Sequence, residues 1–471
     1  MNKPNVYVDL DGTLTPSDLL LESLLLLIRS NFFYLFLFCF WCFKGRWYVK
    51  QRVFAQVQLN VADIPMNDAV LKLLRAYKSE GHQIILATAS PVLQAQQVAE
   101  FIHLFDRVLG SQSSNLKGKT KLAAIQRDAQ GQSFIYLGDS LPDVSIWKHA
   151  HTAIAVNPSV RVRMKAWRTG INLQTVYTKK SLPVAILKAM RFQQWAKNAL
   201  LFLPLIAAHE TDLSLWFKVF MVFWAFGLIA SSTYIWNDLM DLSSDRKHPR
   251  KKYRAIACSD LSIVHALQAM ILISILGWLL AWWAGGWQVV SLLLLYTCAT
   301  LLYTFVLKQL AFIDVLVLAL LYTLRVLTGG LAIHLEVSNW LLATSLFVFL
   351  SLALVKRCAE LEFMSLEDKK DMHGRGYRVS DLNYLVSMGI SSGFMSVTVI
   401  ALYVESQAGL SLYPSPMYLW GICPLFLFWI MRIWILTSRK QMIDDPVHFA
   451  IHDRTSWCIL FLISGLAYLA T

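Results

Sequence analysis

Along the first 188 residues, short β-like apolar runs alternate with amphipathic stretches. Runs at 6–10, 83–87, 107–109, 134–137 and 152–156 are short enough for strands, and their alternation with helical segments predicts an α/β domain. From residue 189 onward the pattern changes. Long apolar runs recur at 198–209, 214–236, 260–283, 286–306, 311–333, 340–357, 383–404, 414–436 and 456–471, the first and last being the shortest. A helix needs about 20 apolar residues to cross a bilayer core of about 30 Å, so this half is expected to be an all-α polytopic bundle of about nine transmembrane helices. The chain thus divides near 188, into a domain at 1–188 and a membrane domain at 189–471.

Composition agrees with that division. At 471 residues and 56% hydrophobic content, the chain is too apolar to consist of soluble domains alone. The formal charge of +13 would suggest a nucleic-acid partner in a soluble protein, but Lys and Arg here cluster between apolar runs, so no nucleic acid is expected. Basic residues crowd 191–197, 246–254, Lys308, 356–378 and 439–454, whereas the alternate loops near 209–212, 285, 334–339 and 405–416 hold no Lys or Arg. By the positive-inside rule the basic set is cytoplasmic, which, with nine crossings, gives an external C-terminus. No signal-peptide apolar region opens the chain, so the N-terminal domain is expected on the cytoplasmic side of an inner membrane. Cys39, Cys42, Cys258, Cys298, Cys358, Cys423 and Cys458 lack paired metal-binding spacing and read as reduced packing residues.

Three apolar strands in the first domain end in chemistry-bearing residues. Asp9 and Asp11, followed by Gly12, are separated by one residue and point the same way from an extended segment, so one can attack phosphorus while the other handles the leaving-group proton. An Asp-Gly turn is the simpler alternative. The second strand ends at Thr88-Ala89-Ser90, Lys117, Lys119 and Lys121 precede a helical stretch, and a third strand ends at Gly138-Asp139-Ser140, followed by Asp143. In order and spacing these features resemble the four motifs of haloacid-dehalogenase-like phosphohydrolases, over about residues 1–165. The resemblance implies a Rossmann-like domain in which Asp9 is the phosphoryl-accepting nucleophile and Asp11 the general acid/base. Thr88 would bind the phosphoryl group and Lys121, with Lys119 second, would neutralise it. Asp139 would hold Mg²⁺ with Asp9 and the Asp11 carbonyl, supported by Asp143. The run 19–43 looks like a further span, yet a crossing there would separate Asp9 from Asp139, and Glu22, Arg29 and Asn31 interrupt it. It reads as part of a helical cap, about 17–80, whose apolar surface rests on the membrane or the bundle or is simply buried.

In the membrane half, Asn237, Asp238, Asp241 and Asp245 break out of an apolar run. Acids three and four residues apart share one helix face, and such hard oxygen ligands suit a Mg²⁺ ion carrying a diphosphate. A charged juxtamembrane loop is the plainer reading. With Lys252 and Arg254 following, the stretch resembles the UbiA superfamily of intramembrane transferases, over about 190–471. The second acidic motif departs from that pattern, because Asp314 is followed by Leu318, which cannot ligate a metal. Gln194-Trp195-Ala196-Lys197-Asn198, Tyr303 with Lys308, Asp314 with Arg325, Lys356-Arg357 with Glu360, and Asp445-Pro446-Val447 with Asp453-Arg454 resemble the decaprenyl-phosphate phosphoribosyltransferase branch; Ala255 stands where its members tend to have Pro.

That resemblance implies transfer of 5-phosphoribose from phosphoribosyl diphosphate to a polyprenyl phosphate. Mg²⁺ on Asp238, Asp241 and Asp245 would neutralise the departing diphosphate. Lys197, Asn198, Asn237 and Tyr303 fall within the motifs, and Arg246, Lys252, Arg254, Lys308, Arg325, Lys356 and Arg357 are candidates for the remaining phosphates. Topology alone accounts for basic residues in these loops, and Arg325 and Lys356 stand out by lying inside or at the end of apolar runs. His248 and His373 read as loop histidines. The fused first domain could then remove the 5-phosphate. Two alternatives are an aromatic polyprenyltransferase using a polyprenyl diphosphate, and a phosphatase carrying a non-catalytic bundle. Oligomeric state is not legible in the sequence.

Overall fold

The computed structural model describes residues 3–57, 59–111, 116–178, 181–365, 376–442 and 445–471; His373 lies outside them. The chain forms two compact units, one of Met1–Ala189 with Ile235–Ala269 and one of Met190–Tyr234 with Met270–Thr471. The Asp-rich segment, expected with the membrane half, therefore packs with the N-terminal unit.

The first unit holds a six-stranded parallel sheet: β1 (Asn5–Val8), β2 (Ile84–Pro91), β3 (Arg107–Ser111), β4 (Phe134–Gly138), β5 (Thr152–Val156) and β6 (Leu173–Val176), in the order β3-β2-β1-β4-β5-β6. Alternation along each strand fills a core on both faces. Val6, Val8, Ile84, Leu86, Ile135 and Leu137 enter one apolar cluster, while Tyr7, Ile85, Ala87, Phe134 and Tyr136 enter the other. Strand order reverses between β1 and β4, which opens a crevice beyond their carboxyl ends, where ligands bind in open parallel sheets.

Between β1 and β2 come α1 (Leu19–Ser30), α2 (Phe33–Phe43), α3 (Arg46–Gln56) and α4 (Asp68–Ser79). Asp18 accepts from the Leu20 and Leu21 amides and caps α1. The apolar run 19–43 is broken at Asn31, whose extended backbone ends α1 and whose side chain accepts from the Phe33 amide that opens α2. The remaining helices of this half are α5 (Val92–Ile102), α6 (Lys119–Ala129), α7 (Val144–Trp147), α8 (Val160–Arg168) and α9 (Leu182–Met190).

Helical elements make up the rest: α10 (Leu203–Ala207), α11 (Leu213–Met240), α12 (Leu242–Lys247), α13 (Ile263–Phe305), α14 (Ile313–Ala332), α15 (Asn339–Ser365), α16 (Leu382–Val404), α17 (Gln407–Leu412), α18 (Ile422–Ser438), α19 (Pro446–His452) and α20 (Arg454–Ala470). Among the described residues six helices are long and apolar enough to cross a membrane. The 43-residue α13 is interrupted by the non-helical Gly286, where the sequence pattern places a break between two spans. α20 is shorter, at 17 residues. The run at 198–209 forms no continuous α-helix: Phe192–Phe202 is 3₁₀, and α10 starts at Leu203 with Pro204 in its first turn, where a missing N–H is tolerated. The expected count of nine spans is thus not confirmed. In the second unit, α14 approaches the 3₁₀ segment so closely that a Cβ on Gly329 would strike the Leu201 carbonyl.

Candidate functional site

At the crevice of the first unit, Asp9 follows β1, Thr88 lies in β2, Lys121 in the first turn of α6, and Asp139 follows β4. The Lys121 ammonium is buried and stands 2.9 Å from the Asp9 carboxylate and 4.0 Å from that of Asp143. It also donates to the Tyr136 hydroxyl at 3.2 Å, which in turn donates to Asp143 at 2.8 Å. Asp143 accepts from the Ser140 amide and hydroxyl at 3.0 and 2.7 Å, closing a capping box that fixes the turn after β4. Lys119, by contrast, is exposed.

Carboxylate oxygens of Asp9, Asp139 and Asp143 lie within 4.8 Å of one another, and this is the one such acidic triad among the described residues. Hard oxygen donors on a buried, rigid strand end fit Mg²⁺. The backbone permits the approach because Gly12 adopts φ +80°, and a Cβ there would run into the Asp139 carboxylate.

Asp11 accepts from the Leu19 amide at 3.0 Å and from the Ser90 hydroxyl at 2.8 Å. Burial, then the charges of Asp18 and Asp9, push its pKa up to about 7, a value suited to a group that gives and takes a proton near neutrality. Burial also raises the pKa of Asp9, with Lys121 working against it. Thr88 is fully buried and its hydroxyl accepts from the Ser90 amide at 3.0 Å. Two further contributors are assigned no role by the sequence. Ser90 fixes Asp11, and Lys50 of α3 reaches over to donate to the Ala89 carbonyl at 2.6 Å. Ser90 is visible as a hydroxyl at a strand end, whereas nothing local marks Lys50.

The Asp-rich stripe is less regular than helical spacing suggests. α11 ends at Met240, and Asp241, with φ −93° and ψ 11°, stands ahead of the separate α12 without a side-chain capping bond. Asp238 and Asp245, both buried, converge on Arg254 at 3.0 and 2.6 Å. Asp241 faces Arg29 at 3.4 Å instead. Burial raises the pKa of Asp245, opposed by Arg254. Among the described residues the stripe forms no carboxylate triad with ligand oxygens within 4.8 Å of one another, and Arg254 bridges two of its acids. Arg246, expected to hold phosphate, is clamped by both oxygens of Glu22 at 2.7 and 2.8 Å. Lys252 is exposed in a 3₁₀ turn, with its ammonium over the Tyr253 ring.

In the second unit, Lys197 and Lys356 meet at Asp445, at 2.8 and 3.3 Å. Burial alone would raise the pKa of Asp445, but these two ammonium groups hold it well below the usual carboxylate range. Arg325, buried in α14, donates to Asn198 and to the Tyr296 hydroxyl, each at 3.2 Å, and lies over the Phe226, Tyr296 and Tyr322 rings. Asp314 is fully buried, paired with Arg357 at 2.5 Å and hydrogen-bonded by Tyr377. Arg357 also donates to Tyr303 at 3.0 Å and pairs with Glu360. Lys308 sits half-buried in the 3₁₀ turn Leu307–Gln309.

Comparison with known proteins adds two domain matches. Residues 199–452 match the UbiA prenyltransferase family, and residues 6–148 match the haloacid dehalogenase-like hydrolases. An uncharacterized Sinorhizobium fredii protein, y4nM, is 35% identical over 98% of this chain and 90% of its own. Nodulation protein NoeC of Azorhizobium caulinodans is 31% identical over 60% of this chain and 92% of its own. The decaprenyl-phosphate phosphoribosyltransferase of Mycolicibacterium smegmatis is 31% identical over 39% of this chain and 59% of its own.

Proposed function

Because the chain belongs to the UbiA prenyltransferase family and carries a haloacid dehalogenase-like hydrolase domain ahead of its membrane half, we propose that it transfers 5-phosphoribose from phosphoribosyl diphosphate to a polyprenyl phosphate and then removes the 5-phosphate. The observation that carries the choice of donor is the state of Asp314. With Leu318 one turn on, Asp314 has no second acid beside it in the motif, which speaks against a prenyl diphosphate held at two acidic motifs. The similarity to a decaprenyl-phosphate phosphoribosyltransferase supports the same choice.

In the transfer, an oxygen of the lipid phosphate attacks C1 of the ribose as the bond from C1 to the diphosphate breaks. Asp238 and Asp245, with Asn237 and Asp241 beside them, would hold Mg²⁺ and with it the diphosphate. Lys197, Lys356 and Arg325 are assigned to the remaining phosphates, where fixed cations in a buried setting are most effective. Arg254 balances the acid pair, and Arg246 serves to fix the segment through Glu22. In the hydrolysis, Asp9 attacks the 5-phosphorus while Asp11 gives a proton to the departing ribose oxygen; water then cleaves the aspartyl phosphate, with Asp11 taking its proton. Lys121 and Thr88 hold the phosphoryl oxygens, and Asp9, Asp139 and Asp143 would hold the second Mg²⁺. At both sites bound Mg²⁺ supplies neutralisation of phosphate charge. Fusion keeps the intermediate at a high effective concentration for the second step.

The protein is a multi-pass membrane protein. We place its basic loops and N-terminal domain in the cytoplasm.

Incubation of the purified chain with labelled phosphoribosyl diphosphate and polyprenyl phosphate, beside prenyl diphosphate with aromatic acids, tests the donor. Asp9→Asn should accumulate the lipid product with one phosphate more than wild type by mass spectrometry. Identical lipids from both would leave a lone transferase, and turnover of the prenyl diphosphate alone would overturn the phosphoribosyl reading.

A further inference from the structure

The α2 helix is apolar along its whole length, yet of its residues only Trp41 is buried. Phe33, Phe36, Phe40 and Phe43 recur at three- and four-residue spacing, which puts them on one face, and all four are exposed, Phe40 by 70% and Phe43 by 89%. Phe32 extends the patch at its start, and exposed Lys44 closes it. An aromatic surface of this size facing water is costly, at roughly 25 cal/mol for each Å² left exposed.

The position of the helix identifies what covers it. Arg29, in the last turn of α1, donates to the Met240 carbonyl at 3.2 Å and pairs with Asp241 at 3.4 Å. Met240 is the final residue of α11, a helix of membrane-crossing length, and lies about one turn beyond Trp236, where the apolar run stops. α2 begins four residues after Arg29 and therefore starts close to the end of α11 that leaves the bilayer. Eleven residues rise about 16 Å, about half of the hydrocarbon core, so the helix cannot cross and must lie along the surface. Its aromatic side chains and flanking cation are those of an interfacial helix.

We propose that the Phe33–Phe36–Phe40–Phe43 face of α2 docks into the lipid surface and holds the phosphatase domain against the membrane, so that the crevice works on phosphates borne by lipid headgroups. The docking stands apart from the assignment of the lipid product; only its kinetic consequence rests on that reading.

The test uses the full chain in vesicles of phosphatidylethanolamine and phosphatidylglycerol, with the photo-crosslinking amino acid p-benzoylphenylalanine introduced at Phe36, Phe40 or Phe43, or at exposed Trp167 of α8 as a control. The expected result is lipid adducts from the three α2 positions, at least tenfold above the control by mass spectrometry. A crosslink to a second copy would make the face a homomeric interface, a crosslink within the chain would make it an internal contact, and yields equal to the control would leave it in water; each overturns the docking. In a second measurement, Phe36→Ser/Phe40→Ser should hydrolyse ribose 5-phosphate in solution within twofold of wild type, while turnover of vesicle-borne polyprenyl-phosphoryl-ribose 5-phosphate falls at least tenfold. Equal loss on both substrates would refute a role in docking. Lipid adducts from the α2 positions, together with a wild-type chain that leaves the vesicle-borne substrate intact, would uphold the docking and reject the product assignment.

Discussion

Glu22→Gln should loosen the Asp-rich segment. Glu22 and Arg246 are linked by two hydrogen bonds of 2.7 and 2.8 Å, with side chains only 5% and 10% exposed. Arg246 is further held by the Asp63 and Ala257 carbonyls, so it cannot swing out to water without breaking those bonds as well. Removing one partner of a buried ion pair strands the other charge, at a cost of about 3–5 kcal/mol. Because the pair retains a little exposure, the lower end, about 3 kcal/mol, applies. At about 1.4 kcal/mol per factor of ten, local opening becomes roughly a hundredfold more frequent. Hydrogen exchange by mass spectrometry reads this directly, as roughly hundredfold faster exchange in peptides covering 19–30 and 238–257, with the sheet peptides unchanged. Glu22→Met/Arg246→Met removes both charges and should recover most of the protection, giving a coupling of at least about 2 kcal/mol in the double-mutant cycle. Wild-type exchange in Glu22→Gln, or single effects that add to give the double, would refute the reasoning.

Lys121→Met removes the cation facing the transferring phosphoryl group and should lower kcat on soluble sugar phosphates by about 10²–10³, as measured by phosphate release; a loss under threefold would exclude that role. Gly12→Ala combines a strained positive φ with a Cβ driven into the Asp139 carboxylate, so phosphatase activity should fall while radiolabelled lipid transfer persists. Asp238→Asn is expected to give the opposite split, with transfer abolished and sugar-phosphate hydrolysis kept; loss of both in a folded chain would show that the two chemistries are not separable. Cysteines at Asn339 and Gln407 should react with an impermeant maleimide in intact cells, and one at Lys252 only after permeabilisation. The reverse labelling would invert the topology.

Features carried by local pattern are legible in the sequence. Strands β1 to β5 appear as short apolar runs because a sheet covered on both faces needs apolar residues at consecutive positions, and Asp9, Thr88 and Asp139 follow from their place at or near the strand ends. β6 gives no such signal because Gln174 and Thr175, exposed at the centre of this four-residue strand, leave no apolar run to find. The run at 198–209 misleads for a related reason: hydropathy registers apolar length but not the 3₁₀ winding that gives way to the short α10 at Leu203.

By itself, the sequence determined the two fold classes, the order of the phosphatase motifs and the identity of the acids, since each depends on residues within a few positions of one another. Tertiary structure decided which charges meet. Arg246 finds Glu22 across 224 positions and Arg357 finds Asp314 across 43. Lys50 enters the phosphatase crevice from a separate helix, and Asp241 turns to Arg29 when its helix ends. A buried charge takes whatever partner the fold brings within reach, because leaving it unpaired in a medium of low dielectric costs several kcal/mol. Periodicity reports which face a side chain occupies. It carries no information on what the chain will later pack against that face.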